Sequence, residues 1–289
     1  MPNIDEMPKV GKIINESSSF LSSLGIQEPI GKTEWLLSSL FNLSSTEIAL
    51  NHDRNLTSKE LEKFNRWLSR CAEGEPVQYI TNETDFFSLT FYLDKNVLIP
   101  RPETERLVEI AIETVNNSHI QSVLDIGTGC GCIAISLAKN CEDLSIMAID
   151  KSRGALKLAN RNSCLNSVNN RIDFYQLNIL EQNPLKKFDL VVTNPPYISI
   201  NEYKCLDKTI KLFEPRSALT DEFDGLNFYR RISEKGMSWL QPGGTILMEV
   251  GRRKHPEMAA ELFYSENWDG IKIFSDYNGD HRVLKVSRP

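Results

Sequence analysis

Apolar positions in the first third of the chain recur at helical spacing. Leu61, Phe64, Leu68 and Cys71 fall three and four residues apart and so share one helix face, while Trp35-Leu-Leu with Leu40 and Phe41 gives a second. Asn55-Leu-Thr-Ser-Lys-Glu supplies a start signal, with Thr57 placed to cap and Glu60, three residues on, to close a capping box. The spacing predicts a small helical bundle between Ile13 and Ala72, closed by Gly74-Glu-Pro76. From Asp85 to Leu98 the pattern changes. Phe86-Phe-Ser-Leu-Thr-Phe-Tyr-Leu is dense in β-formers, and Asp94-Lys-Asn separates it from Val97-Leu-Ile, so a hairpin is expected there. Pro100-Arg-Pro102 breaks the chain, and a helix is expected from Glu103, with Pro102 suited to its first turn.

After Gln121, short apolar runs alternate with helical segments. Strands are expected at Ser122–Ile126, Ser145–Ile149, Ile172–Gln176, Asp189–Thr193, Thr245–Val250, Ile271–Phe274 and Val283–Val286, with helices such as Ile133–Lys139 and Arg153–Asn162 between them. That alternation belongs to a mostly parallel sheet covered on both faces. The last two strands close on Asp276–Asp280 and suggest a terminal antiparallel hairpin. The expected class is α/β, divided into a helical domain over 1–85, a hairpin linker over 86–100 and a sheet domain over 101–289.

Composition narrows the function classes. With 289 residues, 40% hydrophobic and 25% charged, the chain resembles an ordinary globular protein that can bury a core. Its net charge of −6 supplies no bulk positive field for nucleic acid. Residues 1–85 hold 8 Lys and Arg against 13 Asp and Glu, net −5, whereas the remainder is close to neutral at net −1. The six cysteines (Cys71, Cys130, Cys132, Cys141, Cys164, Cys205) form no C-x-x-C pair and have no His at zinc spacing, so reduced thiols and no metal site are expected. Met1-Pro-Asn-Ile-Asp-Glu-Met7 is acidic, and no run approaches about 18 apolar residues, so a cytoplasmic protein without a membrane span is expected.

Two motifs carry chemistry. Val123-Leu-Asp-Ile-Gly-Thr-Gly-Cys-Gly-Cys joins the first parallel strand to a helix through Gly127, Gly129 and Gly131, which lets backbone approach a ligand at a helix N-terminus. No Gly-Lys-Ser/Thr is present, as a Walker loop requires, and Cys132 stands where a dinucleotide fingerprint needs glycine. The G-x-G-x-G spacing after Asp125 resembles the first motif of class I S-adenosylmethionine-dependent methyltransferases. The resemblance implies a Rossmann-like seven-stranded sheet. It places Asp125, Gly127, Thr128, Gly129, Cys130 and Gly131 around the methionine end, and Asp150 on the ribose hydroxyls. Asn178 and Ile179 fall at the adenine position, where the family carries an acid; the neutral Asn carbonyl can still accept from an amino group.

The second motif, Asn194-Pro195-Pro196-Tyr197, follows the fourth strand at the carboxyl edge of the sheet, where ligands of open α/β sheets bind. A planar amide or aromatic amine is a poor nucleophile because its lone pair is delocalised. The Asn194 side-chain carbonyl and the Pro195 backbone carbonyl can hold the two N–H hydrogens, and Tyr197 can pack on the planar group. Glutamine-N5, adenine-N6 and cytosine-N4 methyltransferases share this motif, so it leaves the acceptor open.

Leu98-Ile-Pro-Arg-Pro-Glu-Thr-Glu-Arg, Phe213-Glu-Pro-Arg-Ser-Ala-Leu and Gly74-Glu-Pro-Val-Gln-Tyr-Ile, together with the helical start, resemble the HemK/PrmC family. That resemblance implies N5-methylation of the glutamine in the Gly-Gly-Gln loop of class 1 peptide chain release factors by S-adenosyl-L-methionine. It further implies docking by the N-terminal bundle and Arg101–Glu105 bordering the pocket; a monomer without a direct nucleic-acid substrate is expected. Thr104 and Glu105 could equally just begin a helix, and Arg216 could equally be an ion-pair partner. A ribosomal-protein glutamine methyltransferase is the near alternative, and a DNA adenine-N6 methyltransferase a more distant one. The acidic charge and the lack of a large target-recognition domain weigh against DNA.

Overall fold

The computed structural model describes residues 7–264 and 267–289, and by compactness the chain divides into units 1–82 and 83–289. The first six residues of the expected helical domain lie outside the described residues.

The first unit is helical: α1 (Val10–Ser23), α2 (Pro29–Phe41), α3 (Ser45–Leu50), α4 (Ser58–Ala72) and α5 (Val77–Thr81). Thr57 caps α4 by accepting from the Glu60 N–H, and Glu60 reciprocates toward the Thr57 N–H at 2.7 Å, an exchange worth about 1 kcal/mol. Phe64 and Cys71 point inward from α4 into a core with Leu21, Leu36, Leu37 and Ile48, and Leu61 and Leu68 flank it. Arg70 binds Glu75 through two short contacts of 2.6 and 2.7 Å, which ties the end of α4 to the Gly74-Glu-Pro76 corner.

The second unit begins with the antiparallel pair β1 (Glu83–Phe86) and β2 (Leu89–Tyr92). Here the structure corrects the sequence expectation. The hairpin turns at Phe87-Ser88, both with positive φ (51° and 59°), and 97–99 form no strand. The Glu105 carboxylate accepts from the Phe87 N–H at 2.7 Å and so stabilises a turn made of two residues that rarely adopt this conformation. The hairpin belongs to this unit.

Then follow α6 (Pro102–Asn116), β3 (Ser122–Ile126), α7 (Cys132–Asn140), β4 (Ser145–Asp150), α8 (Arg153–Leu165), β5 (Ile172–Gln176), β6 (Phe188–Thr193), α9 (Ile200–Cys205), α10 (Lys208–Phe213), α11 (Arg216–Leu219), α12 (Asn227–Trp239), β7 (Leu240–Glu249), α13 (His255–Glu261), β8 (Asp269–Ser275) and β9 (His281–Ser287). Among the described residues, seven strands form one sheet in the order β5-β4-β3-β6-β7-β9-β8. The first five run parallel, and the β8–β9 hairpin adds antiparallel at one edge. The order reverses between β3 and β6, and a crevice opens there at the carboxyl ends of the strands. Leu124, Val191, Ile246 and Leu284 in the strands and Tyr229, Trp239 and Phe263 outside them are buried in one cluster. No described helix is long and apolar enough to cross a membrane.

Candidate active site

The glycine loop after β3 forms one wall of a cavity of about 990 Å³, its mouth included, at the β3/β6 switch point. Gly127, Gly129 and Gly131 all have positive φ (73°, 57° and 88°), so the chain winds tightly before α7 starts. At Gly131 a Cβ would lie 2.8 Å from Ile135 Cδ1 and 3.2 Å from Ala159 Cβ, so its smallness lets the loop sit against α8. Asn162 of α8, fully buried, donates to the carbonyls of Cys130 (2.9 Å) and Tyr92 (3.0 Å) and fastens the loop to the hairpin.

Gly127, Thr128, Gly129, Cys130, Asp150, Asn178, Ile179, Asn194 and Pro196 all line this cavity, so one enclosure gathers most of the residues expected to hold a cofactor. Asp150 closes β4. Its two oxygens accept from Gly129 N–H (3.0 Å) and Ser152 N–H (2.8 Å), while burial pushes its carboxyl above the usual range.

Asp125 departs from expectation. Its side chain is fully buried and does not line the cavity; one oxygen accepts from the Thr128 hydroxyl at 2.6 Å, and the other has no hydrogen-bond partner among the described residues. Burial raises this carboxyl to about 7, against the lowering effect of Thr128. Its place on a strand interior explains the difference, because β3 is covered on both faces. Asn178 lines the cavity, but its side-chain oxygen already accepts from Leu180 N–H at 3.2 Å. An acceptor role toward an adenine amino group would therefore use its second lone pair.

A second cavity abuts the first. It is lined by Pro195, Tyr197, Ile198, Leu206, Ile210 and Leu219, and Leu98, Arg101, Asn194 and Ala218 stand in the walls of both. Arg101 binds Glu214, itself buried, through contacts of 2.5 and 2.7 Å, so the Pro100-Arg-Pro segment is tied to the Glu214-Pro-Arg segment over the junction. Arg216 faces elsewhere, paired with Glu222 at 2.5 Å on the surface. The loop before α12 presses onto the motif through Gly225 (φ 87°), where a Cβ would collide with the Tyr197 carbonyl oxygen.

Behind Asn194 lies a polar network that the motifs did not reveal. Asn194 Nδ2 donates to Thr104 Oγ1 (3.0 Å), and Thr104 Oγ1 donates to Glu249 Oε2 (2.6 Å). The Tyr197 hydroxyl donates to Glu249 Oε1 (3.2 Å), and the buried Arg282 guanidinium lies 3.6 Å from the same oxygen. Burial and the Glu249 charge hold the Tyr197 hydroxyl well above its usual range. One signal did exist: Glu249 is the single charge in Thr245-Ile-Leu-Met-Glu-Val. A carboxylate in such a run requires a buried partner. His255 accepts from Gly251 N–H at Nδ1 (3.1 Å), so its Nε2–H donates to the Gly225 carbonyl, and burial lowers its basicity.

The glycine cradle provides a test of whether S-adenosyl-L-methionine fits. A Cβ at Gly127 would meet nothing within 4 Å, and Gly127 and Gly129 border the cavity with Asp150 and Ile179. Open backbone, an acid for hydroxyl groups and an apolar flank suit a nucleoside with an amino-acid end.

Comparison with known proteins gives matches in both units of the chain. The profile of the methyltransferase small domain matches residues 105–213, and that of the PrmC N-terminal domain matches residues 12–81. The chain is 39% identical to a release factor glutamine methyltransferase of Flavobacterium psychrophilum, over 87% of this chain and 89% of that one. It is 35% identical to the protein of that name in Geobacter sulfurreducens over 96% of each chain. Among solved structures, a Pyrococcus furiosus methyltransferase superposes with a TM-score of 0.51 at 15% identity, covering 80% of this chain and 98% of that one. The hMettl16 catalytic domain, in complex with the MAT2A 3'UTR hairpin 6, gives 0.56 at 16% identity, covering 79% and 81%. At that identity the two structures share the fold.

Proposed function

The chain belongs to the release factor glutamine methyltransferase family, and from that membership we propose that it methylates the side-chain nitrogen of the Gly-Gly-Gln glutamine of class 1 release factors. S-adenosyl-L-methionine is the cofactor and supplies an electrophilic methyl group. The observation that carries the site assignment is the position of Asn194 in the walls of both cavities. A cofactor in the larger cavity and a glutamine side chain in the smaller would meet at the wall that Asn194 shares with Leu98, Arg101 and Ala218, and of these four Asn194 is the one whose side chain can accept a hydrogen bond.

The chain's own residues then do the following. Gly127, Gly129 and Cys130 present backbone to the cofactor while Gly131, outside the cavity lining, packs the loop on α8; Asp150 accepts from hydroxyl groups, and Asn178 and Ile179 flank the base. Asn194 Oδ1 and the Pro195 carbonyl accept from the glutamine NH₂, hold its nitrogen at the junction and favour a pyramidal geometry with the lone pair available. Tyr197 lines the smaller cavity and packs on the planar amide. No nucleophilic side chain is required, because the glutamine nitrogen would itself take the methyl group as its bond to the sulfonium sulfur breaks, the electron pair staying on sulfur, and the proton shed by the nitrogen would pass to water.

The names of the relatives favour release factors over ribosomal proteins or DNA, which the Asn-Pro-Pro-Tyr motif alone leaves open. We take the helical unit to dock the release factor, and the protein to work as a cytoplasmic monomer.

Replacing Asn194 with Ala tests the assignment. Turnover on a release factor should fall by about a hundredfold or more, as expected when an orienting group is lost, while calorimetric affinity for S-adenosylmethionine stays within a few-fold. Near-normal turnover would remove Asn194 from the reaction.

A further inference from the structure

An asparagine amide can present either its oxygen or its NH₂ to a neighbour, and only the oxygen can accept from a substrate amide. Something must set that choice at Asn194. We propose that Glu249, acting through the hydroxyl of Thr104, is the positioning residue that locks the Asn194 oxygen toward the acceptor cavity; this rests on the function proposed above.

Hydrogen-bond direction supplies the reasoning. A hydroxyl carries one hydrogen, and that of Thr104 is directed at Glu249 Oε2 at 2.6 Å. An ionised carboxylate only accepts, so Thr104 cannot reverse this bond. Its oxygen is left as an acceptor for Asn194, 3.0 Å away, which draws Nδ2 inward and turns Oδ1 outward. The other oxygen of Glu249 is also an acceptor, from Tyr197 at 3.2 Å, so both bonds from neighbouring side chains end on one carboxylate. Glu249 is wholly buried at the end of β7, and a group so placed without a stabilising task would be costly.

The groups facing Glu249 come from three elements and the loop after β6. Arg282 of β9 is 3.6 Å from Oε1, Glu103 and Thr104 belong to α6, Tyr197 follows β6, and Tyr229 of α12 donates to the Glu249 backbone carbonyl. Burial raises the Glu249 carboxyl above its ordinary value, Thr104, Arg282 and Tyr197 oppose that, and Glu103 adds to it. Protonating Glu249 would give Thr104 a donor to accept from, release its hydrogen toward Asn194 and allow the amide to flip. Ionised Glu249 is thus the competent form, and activity is lost as pH falls through its value in the folded enzyme.

The test is steady-state methylation of a release factor by the full-length protein across pH. Glu249→Gln can donate to Thr104 and Thr104→Val has no hydroxyl, so both should lower kcat on the order of a hundredfold, with KM for both substrates and cofactor affinity nearly unchanged. Thr104→Ser keeps the hydroxyl and should stay close to wild type. Arg282→Gln removes the cation opposite Glu249 and should move the acid limb of kcat to higher pH, a displacement that loss of packing alone would not cause. Normal kcat in folded Thr104→Val or Glu249→Gln overturns the relay. If the wild type methylates glutamine and Asn194→Ala does not, but these two variants are normal, the relay fails and the assigned function stands. If the wild type methylates no glutamine, both fall.

Discussion

At the scale of single residues, burial decides what each acid can do. Asp125, Asp150 and Glu249 are all carboxylates on strands, yet Asp150 reaches the cavity while Asp125 is sealed beneath the glycine loop with one oxygen unpartnered. The folded chain holds a proton on Asp125 up to about pH 7, whereas an unfolded chain releases it near 3.8. Stability from this group is therefore present at low pH and lost as pH rises through that window. Asp125→Asn should raise the melting temperature relative to wild type by an amount that grows from pH 4 to pH 8; a difference independent of pH would show that Asp125 is ionised throughout. Asp125 was legible as the strand residue that precedes the glycine loop, but which face of a doubly covered strand a side chain meets depends on packing that no local pattern records.

At the scale of elements, the periodic parts were legible and the turns less so. The strands Ser122–Ile126 and Ile172–Gln176 match expectation to the residue, and the Thr57–Glu60 box starts α4 as the spacing required. The first hairpin was misplaced because Asp94-Lys-Asn is a better turn sequence than Phe87-Ser88. What overrides local propensity there is Glu105, eighteen positions away, binding the Phe87 N–H. Thr104 is a similar case: as the third residue of α6 it looks like helix-start chemistry, and only the fold brings it to Glu249, 145 positions on. The glycine loop also belongs to this scale. Gly131→Ala would strain a φ of 88° and push a methyl to 2.8 Å from Ile135. It should cost about 1–3 kcal/mol in denaturant unfolding and weaken cofactor affinity together; an unchanged affinity would mean that the loop relaxes without reshaping the cavity.

For the molecule as a whole, the crevice at the β3/β6 reversal gathers the glycine loop, Asp150 and the Asn-Pro-Pro-Tyr motif, segments 19 and more residues apart in sequence, because parallel strands all deliver their carboxyl ends to one edge. The Arg101–Glu214 pair then joins two of the family segments, 113 positions apart, beside the junction of the cavities. Charge complements this picture: the acidity sits in residues 1–85, and the rest is nearly neutral. The central claim is that the nitrogen brought to Asn194 is that of a release factor glutamine. Incubating the protein with S-adenosylmethionine and a class 1 release factor, then localising any added methyl group by fragment mass spectrometry, tests it directly. The account predicts one added methylene on the Gly-Gly-Gln glutamine, absent when that glutamine is replaced; an unmodified release factor beside a methylated ribosomal protein or DNA base would contradict it.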